Sequence, residues 1–348
     1  MDQLSADGAS ASSGSASKPK TNAPQAASNV AVTTSTEPTP PRIIAVGGGK
    51  GGAGKTVFTA NLAVQLAQSG RKVILLDADL GGANAHTVLG IAPPLVTLSD
   101  FVQKRAELPD IAVQTPFANL RLIAGALDDV SAANPAYQQK MRLLRHLAKL
   151  DCDDLLIDLG AGTSYNIVDF FLVADEPIVV VQPEPTSVEN AYRFLKAAFI
   201  RRLRAVQRVF GLRDLLDVAM HQRNELGIHT PADLMRAISA HDPEVGAAVQ
   251  QLMTSFSPRL VVNQVMQVPG SVDHLVARDM SSACRRFFGI PLRELGMVPS
   301  SDGVRLAVRQ RQPVTVMAPD DIASQALRDI ALRLQASTSD AAQAGRAA

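Results

Sequence analysis

The chain has 348 residues, of which 46% are hydrophobic, enough to bury the core of one large domain or two small ones. Its 34 basic and 33 acidic residues leave a net charge of +1, which excludes an overall field that would hold the protein on nucleic acid or an anionic membrane. The two cysteines, Cys152 and Cys284, form neither a CxxC pair nor a secreted disulfide framework, so we expect a cytoplasmic protein in a reducing environment.

Both ends of the chain are predicted to be disordered. Residues 1–41 are rich in Ser, Ala, Thr and Pro and poor in bulky apolar side chains, so burial there cannot offset the entropy lost on ordering. Residues 337–348 have the same character. No apolar run reaches the ~20 residues of a membrane-spanning helix, and the N-terminus lacks the order of a signal peptide. We therefore expect a soluble protein.

Between these tails, short continuous apolar runs alternate with longer segments of helical period. This alternation predicts one α/β domain over residues 42–336, with a mostly parallel twisted sheet flanked by helices on both faces. The apolar runs begin at Arg42, Lys72, Leu120, Asp154, Pro177 and Arg259, with a weaker one at Gly296.

A long segment between the fifth and sixth predicted strands reads mostly as helix. Thr230-Pro231 and Asp242-Pro243 each offer a capping side chain followed by proline at the first helical position. We therefore predict a helical insertion of three or four helices over about residues 198–257.

A glycine-rich segment follows the first predicted strand. Residues Gly49–Thr56 read GKGGAGKT, which matches GxxxxGK[ST] with a strand before it and a helix after it. Such glycines let backbone N–H groups surround phosphates at a helix N-terminus. Lys55 is expected to neutralise the β- and γ-phosphates of ATP, and the Thr56 hydroxyl to ligate Mg²⁺. The other cradle residues are Gly49, Lys50, Gly51, Gly52, Ala53 and Gly54. The alternative is a glycine-rich turn without a ligand.

Several motifs carry a resemblance to a known family. The extra lysine, Lys50, resembles the deviant Walker A motif of the MinD/ParA family of P-loop ATPases. LLDADLGGANAHTVLG from Leu75 resembles the second motif of that family, and LLIDLGAG from Leu155 resembles its Walker B. QPEPTSVENAY from Gln182 and GMVPSSDGVRLAVRQRQPV from Gly296 are similar to the MinD and FlhG (FleN) branch. The resemblance implies a P-loop NTPase domain that works as an ATP-gated homodimer.

In that family, the extra lysine reaches across the dimer to the phosphates of the partner. The resemblance thus implies that Lys50 acts in trans on the transition state, whereas the alternative is a solvated lysine. Asp79 matches the catalytic aspartate, which orients or deprotonates the attacking water and lies by the metal. Asp77, on the same side of the strand, either supports the metal shell or caps the strand end.

Four further residues receive roles from the resemblance. Asp158 matches the Walker B acid that holds Mg²⁺ through a water. The resemblance implies that the backbone N–H of Gly162 lies near the γ-phosphate. Asn263 matches an adenine-reading asparagine and Pro299 a proline beside the base, although an asparagine that ends a strand is common without a ligand.

The implied activity is slow, partner-stimulated ATP hydrolysis by in-line attack of water. Relatives use it to position the division site, flagella, or chromosomes and plasmids, with an activating protein partner that the sequence does not identify. The tail QASTSDAAQAGRAA lacks a bulky apolar face and a cationic flank, so direct membrane binding through it is not expected and any membrane contact would be peripheral.

Basic residues recur at helical spacing at Arg201, Arg204 and Arg208. They offer a surface for nucleic acid, anionic lipid or an acidic partner, as in a DNA-binding ParA-like partition ATPase. A solvated helix face is the alternative.

Three other classes of function differ in what they require. A nucleotide-dependent scaffold would hydrolyse little ATP. An amide-forming ligase of the same superfamily would need a substrate pocket beside the γ-phosphate, for which no motif is present. A redox or iron-sulphur carrier needs paired cysteines, which Cys152 and Cys284 do not supply.

Overall fold

The computed structural model describes residues 40–49, 51–79, 82–125, 137–207, 209–212, 228 and 230–347. In this part of the chain, eight strands form one sheet in the order β3-β4-β2-β5-β1-β6-β7-β8. They are β1 Arg42–Gly47, β2 Val73–Asp77, β3 Ala112–Gln114, β4 Leu120–Ile123, β5 Asp154–Asp158, β6 Glu176–Val181, β7 Arg259–Val265 and β8 Arg293–Pro299. Neighbouring strands are parallel except for the pair of β3 and β4, so the predicted mostly parallel α/β sheet is confirmed.

Helices connect the strands. Those in the described residues are α1 Lys55–Gln68, α2 Ala85–Val88, α3 Leu98–Val102, α4 Tyr137–Leu147, α5 Tyr165–Leu172, α6 Pro185–Val206, α7 Pro231–His241, α8 Pro243–Thr254, α9 Leu275–Phe288, α10 Asp302–Arg309, α11 Val314–Met317 and α12 Ile322–Ala347, with a 3₁₀ turn at Leu108–Ile111.

The strands are apolar throughout because both faces of the sheet are covered. In β5, Leu155 and Ile157 belong to the hydrophobic core on one face, and Leu156 between them belongs to the core on the other. Alternate residues of a strand point to opposite faces, so a strand buried on both sides needs an unbroken apolar run. This is why continuous apolar runs in the sequence locate the inner strands.

Each face has its own set of covering helices. On one face, α1 buries Phe58, Leu62 and Leu66, as their spacing predicts, and packs beside α12. On the other face, Phe171 of α5 and Phe194 of α6 meet edge to face with ring centroids 4.8 Å apart. Between these two helical layers, the carboxyl ends of the parallel strands lie at one edge of the sheet.

The segment predicted as a helical insertion is partly core. Helix α6 runs without a break from Pro185 to Val206 and buries Phe199 and Leu203 against the sheet, so the segment does not separate from the domain at residue 198. The predicted helix starts at Thr230 and Asp242 are confirmed, since both side chains accept backbone N–H groups of the turns that follow. Residues 213–227 lie outside the described part of the chain.

The two predicted tails have different outcomes. The N-terminal prediction falls on residues that, apart from the last two, lie outside the described ones. At the C-terminus, the expectation of disorder over residues 337–348 is wrong as far as Ala347, because α12 continues to that residue. Alanine is the strongest helix former, and this segment is alanine-rich. Among the described residues, none of the helices combines the length and apolarity that a bilayer crossing needs.

Candidate functional site

A glycine-rich loop joins the first strand to the first long helix. Strand β1 ends at Gly47 and helix α1 begins at Lys55, so the predicted phosphate loop lies at the carboxyl edge of the sheet. No side chain caps the N-terminus of α1, where the N-cap is Gly54 in the left-handed conformation with φ 81°. Uncapped N–H groups and the helix dipole favour a bound anion. Lys50 lies outside the described residues.

Two glycines of the loop are required by close approach. A Cβ atom on Gly49 would lie 1.9 Å from the carbonyl oxygen of Asn190, and one on Gly54 would lie 2.4 Å from Nδ2 of Asn263. Any side chain at either position would therefore displace the loop. By contrast, a Cβ on Gly51 or Gly52 would meet none of the described residues within 4 Å, so this side of the loop is open as far as they show.

One lysine and two carboxylates meet beneath the loop. Lys55 is only 8% exposed, and burial lowers its pKa. The negative charges of Asp158 and Asp79 act in the other direction but raise the pKa by less. Asp158 is fully buried, and its pKa is raised first by burial and then by the charge of Asp77. The hydroxyl of Thr56 is hydrogen-bonded to the Asp158 carboxylate. A buried carboxylate with a neighbouring hydroxyl suits a hard divalent cation such as Mg²⁺.

Asp79 lies where strand β2 has ended and faces the loop after β5. A Cβ on Gly160 would lie 3.0 Å from Oδ1 of Asp79, so glycine leaves room for this carboxylate. Gly162 follows with φ 106°, a backbone conformation that favours glycine. The structure therefore brings Lys55, Thr56, Asp79 and Asp158 together, as the sequence predicts, with the loop around Gly162 next to them.

Asp77 had two possible roles, and its contacts distinguish them. Its Oδ1 accepts the N–H of Asp79 at 3.1 Å, and its Oδ2 accepts the N–H of Ala85 at 2.9 Å. Burial raises the pKa of this carboxyl, partly offset by those hydrogen bonds. Both oxygens are thus bound to backbone, so Asp77 fixes the loop that carries Asp79 rather than facing a ligand.

A cavity of about 470 Å³ opens beside the phosphate loop. Gly52 and Gly54 form one wall, while Asn263 and Pro299 line the other. Asn263 is the last buried residue of β7, and its Nδ2 donates to the carbonyl oxygen of Ala53 at 2.9 Å. The two residues assigned to the base therefore lie at one cavity, and Asn263 also ties the phosphate loop to the sheet.

Sequence reasoning missed part of this cavity. Gln264 follows Asn263 with φ 61° and accepts a hydrogen bond from Nε2 of Gln182 at 2.9 Å. Helix α10 supplies Val304 and Arg305 to the lining. The sequence feature that could have identified this part of the lining is the apolar stripe of α10, which the domain core does not fully bury.

The predicted basic surface is mostly engaged within the molecule. Arg201 donates to both oxygens of Asp169, from Nε at 2.6 Å and Nη2 at 2.8 Å, and Lys140 contacts the same carboxylate. Arg204 Nη1 donates to the Tyr165 hydroxyl at 3.2 Å. Arg208 lies outside the described residues. A guanidinium with two hydrogen bonds to one partly buried carboxylate has little left to offer phosphates, so Arg201 contributes to the fold.

The parallel sheet with a GKGGAGKT loop at a helix N-terminus defines a P-loop nucleoside triphosphatase. A ParA family model, described as NUBPL iron-transfer P-loop NTPase, matches residues 40–212. The antiactivator FleN of Pseudomonas aeruginosa is 29% identical over 297 residues, which are 85% of this chain and 86% of FleN. The chain belongs to the ParA/MinD family of P-loop NTPases.

Two MinD proteins support the same placement. The septum site-determining protein MinD of Helicobacter pylori is 33% identical over 153 residues, 43% of this chain and 56% of that protein. The structure of MinD from Pyrococcus horikoshii, complexed with Mg-ADP, superposes with a TM-score of 0.55 at 23% identity and covers 83% of this chain and 94% of that one. The latter likeness shows a shared fold.

Proposed function

We propose that this chain binds and hydrolyses Mg-ATP, and that ATP switches it from a monomer to a dimer enclosing two nucleotides. The observation that carries the proposal is the convergence of Lys55, Thr56, Asp79 and Asp158 under an uncapped helix N-terminus. A cavity for a base adjoins them. Fixed positive and metal-binding groups of this kind act on the charge that develops during phosphoryl transfer.

Each group has a distinct task in this proposal. The loop from Gly49 to Gly54 surrounds the phosphates, and Lys55 neutralises the β- and γ-oxygens. Thr56 would ligate Mg²⁺, with Asp158 holding it through a water and Asp79 close by. Bound Mg²⁺ supplies charge that stabilises the leaving phosphate oxygens. Asp79 would orient the attacking water, and the N–H of Gly162 would donate to the γ-phosphate.

Dimerisation follows from the open side of the site. None of the residues that the structure describes lies within 4 Å of a Cβ on Gly51 or Gly52, so the bound nucleotide would be accessible to a second subunit. The segment after Gln264 also exposes large apolar side chains, including Met266 and Val272 at 57% and 64%. Exposed apolar groups beside a ligand mouth favour a protein interface. The partner's Lys50 would then complete the phosphate pocket.

The similarity to FleN and MinD supports a positioning role, in which the dimer places a division site, a flagellum or a chromosome and an activating protein triggers hydrolysis. A DNA-binding partition role is less well supported, since Arg201 is held by Asp169. A scaffold with little turnover would lack a use for Asp79 at the phosphate site.

The Asp79→Ala variant tests the proposal. Removal of the water-orienting carboxylate should slow phosphate release by about a hundredfold or more while leaving ATP binding intact. Light scattering should then detect a stable dimer of the variant with excess Mg-ATP and a monomer without it. The control, Asp151→Ala, removes a largely exposed carboxylate elsewhere and should behave as wild type. A monomeric Asp79→Ala variant in Mg-ATP would refute the switch.

A further inference from the structure

A second cavity lies outside the nucleotide site. It measures about 780 Å³, within the range of pockets that hold ligands. Its walls come from three segments: helix α2 with the turn after it, the loop at Pro116, and the loop between α10 and α11. The residues that matter below are His86, Gly90, Ile91, Phe117, Arg311 and Val316.

His86 lines this cavity and carries a buried polar atom. Its side chain is 8% exposed, and its Nδ1 has no hydrogen-bond partner among the described residues. Burial lowers the pKa of His86, and the positive charge of Arg311 lowers it further, so the ring is neutral at physiological pH. A buried nitrogen without a partner costs free energy.

Arg311 gives the cavity its charge. Its backbone has φ 54°, a left-handed conformation unusual for a residue other than glycine. Its carbonyl oxygen lies so close to Gly90 that a Cβ there would be 2.6 Å away. The two loops are therefore fixed against each other. No acidic residue lines the cavity, and no ion pair joins Arg311 to a carboxylate in the described part of the chain. The cavity is thus positively charged.

The remaining lining is apolar and continues onto the surface. Ile91 and Phe117 line the cavity wall, and Val316 is 40% exposed at its edge. Two residues beyond the lining residue Pro93, Leu95 is 99% exposed. An apolar strip that leads out of a cationic cavity suits an extended segment with a carboxylate beside apolar side chains. A free metabolite would leave the outer strip uncovered.

We propose that this cavity is a docking site for an acidic, apolar peptide segment of a partner protein. A carboxylate of the segment pairs with Arg311, and apolar side chains cover Ile91, Phe117 and Val316. Arginine is well suited to a carboxylate because its guanidinium donates two parallel hydrogen bonds.

A peptide bound in this cavity would affect the nucleotide cavity, because the two cavities share structural elements. Helix α10 lines the nucleotide cavity with Val304 and Arg305 and runs directly into the loop that carries Arg311. After that loop, the N–H and hydroxyl of Thr315 donate to Oδ1 of Asn61 in α1, at 3.1 and 3.0 Å. A peptide that moves this loop would therefore shift α10, which lines the nucleotide cavity, and α1, which follows the phosphate loop. Such a coupling between two sites is expected of a regulatory partner.

The experiment selects peptides from a random heptapeptide phage library on the full chain without nucleotide, then titrates the enriched peptides by fluorescence anisotropy. Enriched sequences should place Asp or Glu beside apolar residues. Arg311→Gln should weaken their binding about tenfold or more, and Val316→Glu should do the same by repulsion. Two matched controls, Arg278→Gln and Leu332→Glu, make the same changes at exposed positions elsewhere and should bind within about twofold of wild type.

Three results would overturn the proposal: no peptide is enriched, enriched peptides lack acidic residues, or Arg311→Gln binds them as wild type does. Saturation by free hexanoate without any selected peptide would likewise contradict it and favour a small carboxylate. Repeating the titration with Mg and a slowly hydrolysed ATP analogue should shift peptide affinity severalfold. If the analogue does not bind at all, the proposed ATPase function fails while the nucleotide-free titration still decides the docking site.

Discussion

Asn263 acts on the phosphate loop through a single hydrogen bond. Its Nδ2 donates to Ala53 O, whereas the family resemblance implies contact with adenine. In Asn263→Ala, loss of one buried hydrogen bond, about 1 kcal/mol, should weaken nucleotide binding roughly fivefold. If the bond fixes the loop, affinities for ATP and GTP analogues fall together. If Asn263 reads the base, only the preference for ATP falls. Calorimetry with both analogues separates the two, with Gln251→Ala as the control.

Asp158 is predicted to lower the free energy of unfolding of the nucleotide-free protein and to serve in binding the metal. Its carboxylate is buried and burial raises its pKa, while the charge of Lys55 and the hydrogen bonds from Thr56 and Thr59 offset this only in part. Asp158→Asn should therefore raise the stability of the nucleotide-free protein by about 1–3 kcal/mol at pH 8, while reducing ATP turnover by about a hundredfold or more. Urea unfolding and phosphate release measure the two effects.

The control is a second buried carboxylate on the same strand. Asp154 pairs with Arg42, whose Nε lies 2.7 Å from Oδ1, and with Arg71. Asp154→Asn breaks these pairs and should destabilise the protein. If both substitutions destabilise equally, Asp158 is an ordinary structural acid and its role at the metal is unsupported.

At the level of elements, Asp169 joins α5 to α6 through Arg201 and to α4 through Lys140. Burial would raise the pKa of Asp169, but hydrogen bonds from Arg201 and Lys140 outweigh it and lower the pKa. A carboxyl group with a lowered folded-state pKa stabilises the fold above its unfolded pKa of about 3.9, and this stabilisation is lost as pH falls through the folded-state pKa.

The Arg201→Gln variant tests this contact. It should lower the free energy of unfolding by about 1–3 kcal/mol at pH 7, and the difference from wild type should shrink as pH falls below about 4. Urea unfolding across this range measures it. Arg193→Gln, which removes an exposed arginine paired with Glu189 on the same helix, should change little. A difference that is independent of pH would contradict the ion pair.

Local patterns predicted the elements whose cause is local. Continuous apolar runs located the inner strands, and Thr230 and Asp242 marked two helix starts. The edge strand β3 was not predicted because it has three residues and its antiparallel pairing with β4 depends on the sheet. Likewise, the predicted insertion overlapped α6, because helical period alone cannot tell a core helix from an added one.

The site was predictable only as far as its motif extends. GKGGAGKT and the strand-end acids predicted which residues come together as the candidate phosphate and metal site, because their order in the sequence reflects adjacent strand ends. The contact of Asn263 with Ala53 joins residues 210 positions apart, and no local pattern encodes it. The hydrogen bond from Arg201 to Asp169 could not be predicted for the same reason, because the two residues lie on different helices.

At the scale of the whole molecule, one segment borders both proposed binding sites. The nucleotide cavity and the proposed docking cavity share the segment from α10 to α11. The dimer, the nucleotide and a regulatory partner would therefore act on the same few loops. Closure over ATP can drive such a switch only if ATP binds the dimer more tightly than the monomer.

The central claim is that a nucleoside triphosphate binds the loop after the first strand. Its most direct measurement is calorimetric titration of a slowly hydrolysed ATP analogue with Mg²⁺ into the folded wild-type chain and its Lys55→Ala and Lys149→Ala variants. The account predicts one nucleotide per chain for wild type and the exposed control Lys149→Ala, and affinity at least about a hundredfold weaker for Lys55→Ala. No uptake by the wild type, or equal uptake by Lys55→Ala, would contradict it.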